Sequence, residues 1–392
     1  MDDVLVVGAG PAGAIAGLVL ARAGIRVRIV DRASFPRDKL CGDTVNPGTL
    51  ARLRALGVAA EVEAAGLRVG GMVVASERQA VVGRYPRGQC GRALLRRDLD
   101  WMLLRHAMAA GCAFDPRVTV TGAVVDAGRV VGARVANGGR LAARVTIAAD
   151  GRRSAIAWGL GAARHPVRPR RWAVGAYFAG VGTQWGRSGD GVGTESTPSP
   201  VCDIALGEMH VRRNCYIGIA PVRQNLTNVC LVRAWTPGAD PIRDSRALLA
   251  RTLADDPRLR DRFAGAQMIA APVVLGPLAV DVAPLALDGL ILAGDAAGFI
   301  DPMTGDGLRF AVRGGEIAAA AALEALARGW AGVHRRAAAR RRREFGGKQR
   351  FNRALRRVVG APALVAAATV SARVAPAMLQ RVIAHAGDCR AR

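Results

Sequence analysis

The turn Gly8-Ala9-Gly10-Pro11-Ala12-Gly13 constrains this chain more than any other feature. Val4-Leu5-Val6-Val7 before it is a short, continuous apolar run of the kind that buried parallel strands show. After it, Ala14, Leu18 and Ala21 recur at helical spacing through about Arg22, and Gly24 ends the helix. Ile25 to Val30 reads as a second buried strand with Asp31 at its tip. Gly8 allows the tight turn, Gly10 lets the backbone approach a pyrophosphate, and Gly13 lets helix and strand pack closely. The helix N-terminus offers free N–H groups and a positive dipole to the phosphates. Asp31 would accept hydrogen bonds from ribose hydroxyls and repel a 2′-phosphate, which argues against NADP at this turn. A lone G-x-G-x-x-G is a weak signal. Here strand, helix, second strand and terminal acid stand at the right distances, so the segment predicts a Rossmann-type dinucleotide site, with FAD and NAD both open at this point.

Two later segments bear on that choice. Arg144 to Ala149 reads as a strand that runs into Asp150-Gly151-Arg152-Arg153-Ser154. Leu290 to Ala293 reads as another, followed by Gly294-Asp295-Ala296-Ala297-Gly298, then Asp301-Pro302-Met303-Thr304-Gly305-Asp306-Gly307 and a long Ala-rich helix. Together with the first turn, these segments resemble the fingerprints of the glutathione-reductase-like FAD superfamily, in its monooxygenase and reductase branch. GDAAGFIDPMTGDGLRFAVRGGEIAAA, from Gly294, and FPRDKLCGDTVNPGTL, residues 35–50, are similar to the geranylgeranyl reductase family. The resemblance covers about the first 325 residues.

The resemblance implies FAD as cofactor and a set of residues around it. Gly8, Gly10, Pro11, Ala12 and Gly13 would hold the diphosphate, with Asp31 and Arg32 at the ribose. Gly294 and Asp295 would meet the ribityl chain, Asp295 accepting from its hydroxyls. Pro302, Gly305, Asp306, Gly307 and Leu308 would open a helix toward the flavin pyrimidine edge, whose charge on reduction a helix dipole stabilises. Asp306 reads as an N-terminal helix cap in preference to a base. Asp150 and Gly151 are implied near the pyrophosphate and a nicotinamide entry route, or Asp150 is a turn and helix cap. The family carries an Arg shortly after the Ser, where this chain has Ala157 and Trp158, a departure that bears on NAD(P)H binding. Arg96, at the start of a helix over Arg97 to Ala110, matches a cofactor-contacting Arg, with Arg97 the alternative match. Val118, placed in the following strand, matches an adenine-contacting backbone position. Lys39, Cys41 and Gly42 lie in the loop that resembles the Cys-Gly element beside the flavin. Cys41 is the candidate catalytic residue, tuning the flavin or passing a proton; the competing reading is a buried small residue. Arg37, Asp38 and Lys39 either line that loop or are solvated.

The expected fold is α/β: a Rossmann-type FAD-binding domain with a parallel sheet and a three-stranded β-meander, an antiparallel-sheet substrate domain, and a helical C-terminal tail. The FAD-binding domain is expected over 1–70, 91–160 and 276–328. Its meander comprises Val120–Val125, Val130–Val135 and Arg140–Ala148. Segments 71–90 and 161–275 form the substrate domain, with β-rich runs Trp172–Phe178, Val211–Ile219 and Asn228–Trp235. Gly180 to Pro200, rich in Gly, Ser and Thr, reads as a surface loop.

The tail, 329–392, holds eleven Lys/Arg and one acid, Glu344, between His334 and Arg357. Gly360 to Ala386 is apolar but broken by Pro362, Arg373, Pro376 and Arg381, which argues against a spanning helix. The tail reads as a helical layer on the FAD-binding domain. A second reading is a basic surface in peripheral contact with anionic membrane.

The formal net charge of +25 comes almost wholly from Arg, since the only lysines are Lys39 and Lys348. No helix-turn-helix, zinc or RNA-binding motif accompanies it, so nucleic acid is not an expected partner. Seven cysteines lack any C-x-x-C spacing, which argues against a zinc site or disulfide framework and for a reducing cytoplasm, possible membrane contact being at its inner face. MDDVLVVGAG has no basic n-region and does not read as a signal peptide.

Three functions emerge as alternatives. The first is a reductase of carbon–carbon double bonds in an isoprenoid or other hydrophobic, lipid-like substrate, with NAD(P)H or another small electron donor as reductant. The second is a flavin-hydroperoxide monooxygenase acting on an aromatic or polyketide substrate; the W-x-W-x-x-I-P element typical of halogenases is absent from the sequence. The third is a non-catalytic flavoprotein. Fold alone does not decide among them.

Overall fold

The computed structural model describes residues 2–77, 79–167, 171–182, 204–223, 225–234, 243–301, 303, 305–359 and 376–389. The opening strand Asp2–Val7 lies between Val27–Asp31 and Arg140–Ala148, all parallel, with Val4 opposite both Val27 and Val145. Ala113–Pro116 extends this sheet beyond Val27–Asp31, and Leu290–Leu292 pairs in parallel with the end of Arg140–Ala148. The strands are apolar on both faces because both faces are covered: Val4, Val6, Ile29 and Ile147 on one side, Leu5, Val7, Val30 and Ala148 on the other. The helix Pro11–Arg22 is apolar nearly all round because it is sandwiched between this sheet and the helix Gly307–Arg328.

The turn between the first strand and that helix depends on two glycines. Gly8 has φ of 101°, and a Cβ on it would lie 2.5 Å from the Ala149 carbonyl oxygen. A Cβ on Gly13 would lie 1.8 Å from the Gly8 carbonyl oxygen, so no larger residue fits there. Val120–Asp126, Arg129–Val135 and the first half of Arg140–Ala148 make the expected antiparallel meander.

Among the described residues the second sheet has ten strands. Arg171–Ala179, Leu226–Ala234, Cys215–Arg223 and Ala205–Arg212 are antiparallel in turn, and Leu67–Ala75 then joins Ala205–Arg212 in parallel, so the sheet is mixed. Thr44–Val45, Gly91–Ala93 and the start of Leu67–Ala75, which the sequence assigned to the FAD-binding domain, pair within this sheet instead. Short strands carry too little periodicity to declare their partner. The run Val211–Ile219 is not one strand but a hairpin turning at Arg213-Asn214, with Asn214 at φ of 64°. Its apolar alternation continues on both sides of the turn, which hides it. Trp235 and residues 183–200 of the Gly180–Pro200 loop lie outside the described residues.

One face of this sheet, with Val174, Phe178, Ile219 and Leu231, packs against Leu249 and Leu253 of the helix Ser245–Asp255. The other face carries Ala173, Met209, Val211, Tyr216 and Val232 and meets Leu278 and Met303. The basic helix Val333–Val359 packs along Gly307–Arg328, with Phe345 edge-on to Phe310 at 5.0 Å. The terminal helix Pro376–Ala386 lies against the strand Ala80–Arg84. Among the described residues no helix is long and apolar enough to cross a membrane.

Candidate active site

Four adjacent parallel strands end side by side, and their carboxyl ends carry Asp31, Gly8, Asp150 and Asp295 in spatial order. This is where open α/β sheets bind nucleotides. Asp31 Oδ2 accepts from the Ala9 N–H at 2.9 Å and Oδ1 from the Ala33 N–H at 2.9 Å. Its carboxylate thus clasps the glycine turn and keeps further lone pairs for ribose hydroxyls. Arg32 is exposed.

Arg37 supplies a cation at the same turn. Its Nη2 lies 3.6 Å from where a Cβ on Gly10 would stand, its guanidinium lies 4.7 Å over the Phe35 ring, and Nη2 pairs with Asp100 Oδ2 at 3.1 Å. Of the two sequence readings for Arg37, lining the loop is the one observed. Asp38 remains solvated, with 87% of its side chain exposed.

Asp150 Oδ2 accepts from the Ala155 N–H at 2.8 Å, so it caps the turn of helix Ala155–Gly159, while its Oδ1 is buried with no protein donor. Burial raises its pKa, hydrogen bonds from Ser154 and Ala155 oppose this, and the charge of Asp31 adds to it. Gly151 adopts φ of 83°. Asp295 lies in the single turn Gly294–Ala297, where its carbonyl accepts from the Gly298 N–H at 3.1 Å while its carboxylate accepts no hydrogen bond from the described residues. Burial raises its pKa, while Lys39, Arg96 and Arg152 lower it. Lys39 is reached by solvent yet ringed by protein. Desolvation and Arg96 lower its pKa, and Asp100 and Asp295 oppose them. Arg152, which motif reading passed over inside the Asp150 segment, donates to the Pro277 carbonyl at 2.9 Å and faces Asp295. Ala157 is buried, and Trp158 donates to the Arg152 carbonyl at 3.1 Å, so the position of the family's Arg is taken up by packing here.

Arg96 opens the helix Arg96–Ala109 and binds Asp100 with two bonds, 2.8 and 3.0 Å. Its own burial would lower its pKa; Asp100 and the Cys41 thiol raise it well above the ordinary value. Arg97, 48% exposed, pairs with Asp38 at 3.8 Å, whereas Arg96 is buried and its charge acts on Asp295. Cys41 is half-buried beside Arg96, and Gly42 is exposed. Asp43, absent from the sequence reading, is 1% exposed and binds Arg96, Tyr177 and Asn228. Its place directly after Cys41-Gly42 was the available signal. Val118 precedes the strand Val120–Asp126 instead of lying in it, and its N–H donates to the Asp31 carbonyl at 2.9 Å.

Asp306 differs from expectation. It makes no side-chain cap on the helix Gly307–Arg328. Its carboxylate is 2% exposed and binds Lys348 Nζ at 2.9 Å, with Asn46 Nδ2 at 3.4 Å and Asn352 Nδ2 at 3.5 Å. A buried ammonium requires a counter-charge, and that demand outcompetes capping. The first helical bond therefore comes from the Phe310 N–H to the Asp306 carbonyl, 3.0 Å, and the N–H groups of Gly307, Leu308 and Arg309 precede it. Gly305, at φ of 66°, makes the turn into this helix, and Leu308 is buried; Pro302 lies outside the described residues.

The orphaned Asp150 oxygen, the undonated Asp295 carboxylate, the glycine turn and the cations Arg37, Lys39, Arg96 and Arg152 fit an extended, doubly charged dinucleotide bearing a sugar alcohol. Residues 1–185 match the FAD binding domain family. A menaquinone reductase of Mycobacterium tuberculosis is 30% identical over 322 residues, covering 81% of this chain and 75% of that protein. A digeranylgeranylglycerophospholipid reductase of Methanosarcina acetivorans is 27% identical over 346 residues, covering 83% of this chain and 76% of that protein. Among solved structures, the flavin-dependent brominase Bmp2 superposes with a TM-score of 0.83 at 22% identity, over 99% of this chain and 94% of that one. A geranylgeranyl bacteriochlorophyll reductase-like protein from Thermoplasma acidophilum gives 0.77 at 20% identity, over 93% and 89%. Both structural likenesses show the fold. The protein is an FAD-dependent oxidoreductase. Within that class, it belongs to the geranylgeranyl reductase-like family.

Proposed function

We propose that this protein reduces carbon–carbon double bonds of an isoprenoid or lipid-like substrate. The observation that supports this most is the sheet face turned toward the FAD-binding domain. Met72, Val74, Met209, Val211 and Val232 make it apolar where it meets Leu278 and Met303. Methionine adapts to irregular apolar shapes, and such a wall suits a greasy chain better than a polar one. Two relatives are named for reduction, one of them of a digeranylgeranyl lipid.

Bound FAD supplies hydride once it is reduced. The Gly8–Gly13 turn and Arg37 would hold the diphosphate, Asp31 the ribose, and Asp295 the ribityl hydroxyls. The N–H groups of Gly307 to Arg309, at the helix N-terminus, would favour negative charge on the pyrimidine edge. Cys41, half-buried beside Arg96, would tune that electrostatic balance. NAD(P)H or another small carrier would reach the flavin transiently, since the one G-x-G-x-x-G turn serves FAD.

The basic helix supports a peripheral partner. Arg335, Arg342, Arg343, Arg350 and Arg353 are exposed and make no ion pair among the described residues, whereas Arg336 and Arg340 are paired with Glu324. An outward arginine stripe of this kind attracts anionic lipid, from which a hydrophobic substrate would be drawn.

Anaerobic reduction of the flavin by NADH or NADPH, then mixing with a polyprenyl alkene, tests the reductase reading. Reoxidation by the alkene with gain of two hydrogens supports it. Turnover that requires oxygen and inserts a hydroxyl into an aromatic acceptor replaces it with the monooxygenase reading.

A further inference from the structure

Asp43 is the point at which the substrate sheet grips the flavin loop. It sits at φ of 50°, 1% exposed. Oδ1 accepts from the Arg96 backbone N–H at 3.0 Å. Oδ2 accepts from Tyr177 Oη at 2.7 Å and from Asn228 Nδ2 at 2.6 Å. Asn228 Nδ2 also donates to the Cys41 carbonyl at 2.7 Å. Alternation along Arg171–Ala179 puts Tyr177 on the same face as Ala173 and Gly175, the face turned toward the FAD-binding domain. Gly175 lies directly under the loop, since a Cβ there would stand 2.6 Å from Leu40 Cδ1. Tyr177 is half-buried on this face.

We infer that Tyr177 and Asp43 form the proton-delivery relay of the site, an inference that rests on the reading of this protein as a double-bond reductase. The alkene takes hydride, with its electron pair, at one carbon and a proton at the other. As the second C–H bond forms, the Tyr177 O–H bond breaks, and protonated Asp43 passes its own proton to Tyr177 Oη in the same step. Tyr177 ends neutral, Asp43 ends ionised, and solvent reprotonates Asp43. The geometry permits the reversal this needs. Ionised Asp43 accepts the Tyr177 hydrogen; protonated Asp43 donates to Tyr177 Oη and leaves the phenol hydrogen free for the cleft.

The electrostatics agree. Burial pushes the Asp43 carboxyl up to about 6, against hydrogen bonds from Tyr177, Asn228 and Arg96. Burial and Asp43 raise the pKa of Tyr177, so a phenolate is disfavoured and the proton must pass through it. The ionisable groups facing Asp43 are Arg96, held by Asp100; Tyr177; Cys41 in its own loop; and Cys230, whose thiol burial pushes up to about 12. Asp43 is therefore the one carboxylate that contacts Tyr177 among the described residues.

Infrared spectra of the cofactor-free protein read a protonated buried carboxyl directly. The Asp43 component, read as the wild-type spectrum minus that of Asp43→Asn, is expected at about pH 5 and fades as pH rises through about 6. In FAD-loaded protein reduced with dithionite and mixed anaerobically with a polyprenyl alkene, Asp43→Asn and Tyr177→Phe are expected to slow reoxidation about a hundredfold. The wild-type rate falls above about pH 6, and that of Asp43→Asn is flat. Tyr177→Phe leaves the Asn228 and Arg96 bonds to Asp43 in place and keeps the test decisive where Asp43→Asn does not fold. A missing Asp43 component, or unchanged reoxidation in Tyr177→Phe, overturns the relay alone. Wild-type protein that no alkene reoxidises overturns the reductase reading and the relay with it.

Discussion

Lys348 and Asp306 form an ion pair, Nζ to Oδ1 2.9 Å, with side chains 4% and 1% exposed. Lys348 also donates to the carbonyls of His385 and Ala386, the latter at 3.0 Å. One ammonium thus joins the basic helix, the terminal helix and the start of the helix that would face the flavin. Lys348→Met leaves the Asp306 charge buried beside two long amide contacts, and its expected cost is about 3–5 kcal/mol. Lys348→Met combined with Asp306→Leu removes both charges and should recover most of that loss. Guanidinium unfolding of the two single variants and the double variant checks this; strictly additive losses would show that the two residues are not coupled.

Glu208 anchors a second buried network, on the sheet face away from the FAD-binding domain. It accepts from Arg262 at 2.7 Å twice and binds His210 at 2.8 Å, while Arg212 binds Asp256 at 2.6 Å. Burial alone would raise the Glu208 pKa, but hydrogen bonds from His210 and Arg262 overcome it and hold the carboxyl at about 2, below its ordinary 4.5. A depressed pKa stabilises the fold above pH 4.5, and that stabilisation disappears as pH falls through about 2. The amount is about 3 kcal/mol. Glu208→Gln should flatten the acid limb of a plot of unfolding free energy against pH, and an unchanged limb would assign acid unfolding to other carboxylates.

The Asp295 carboxylate accepts no hydrogen bond from the described protein and burial raises its pKa, so Asp295→Ala should leave the cofactor-free protein at least as stable as before. Loss of a charged acceptor for the ribityl hydroxyls is expected to weaken FAD by about 1.5–3 kcal/mol, a tenfold to hundredfold rise in Kd. Gly13→Ala should instead damage the fold, because its Cβ would meet the Gly8 carbonyl oxygen at 1.8 Å. Flavin fluorescence titration and thermal melts separate the two outcomes. Equal FAD affinity in Asp295→Ala and the wild type would remove Asp295 from the cofactor site.

Residues at the ends of apolar parallel strands were legible in the sequence. Asp31, Asp150 and Asp295 each stand at or just past the end of a largely buried strand, and the carboxyl ends of such strands are where open α/β sheets meet a ligand. Asp43 was not legible, because its partners Tyr177 and Asn228 lie 134 and 185 positions away and hydrogen bonds across domains leave no period. The role of Asp306 was hidden for the same reason. Its local setting before Gly307 suggests a cap, and only the folded chain brings Lys348 beside it. Arg37 stood between two readings until Gly10 and Asp100 fixed its place.

The arginine stripe on Val333–Val359 would distinguish anionic lipid from nucleic acid by its response to salt and to lipid charge. Arg335, Arg342, Arg343, Arg350 and Arg353 face outward, and each cation near an anionic bilayer is worth about 1 kcal/mol. Reversing Arg342, Arg343 and Arg350 to Glu is therefore expected to weaken binding to phosphatidylglycerol vesicles by at least about 3 kcal/mol, more than a hundredfold. These side chains make no ion pair with an acid among the described residues, so FAD content and thermal stability should not change. Co-sedimentation with vesicles of pure phosphatidylcholine sets the background, since a neutral surface offers the stripe nothing. Duplex DNA competing the protein off anionic vesicles at moderate salt would assign the stripe to nucleic acid, where affinity falls steeply as counterions return. Equal binding of the triple variant and the wild type to anionic vesicles would leave the positive charge of this helix without a lipid role.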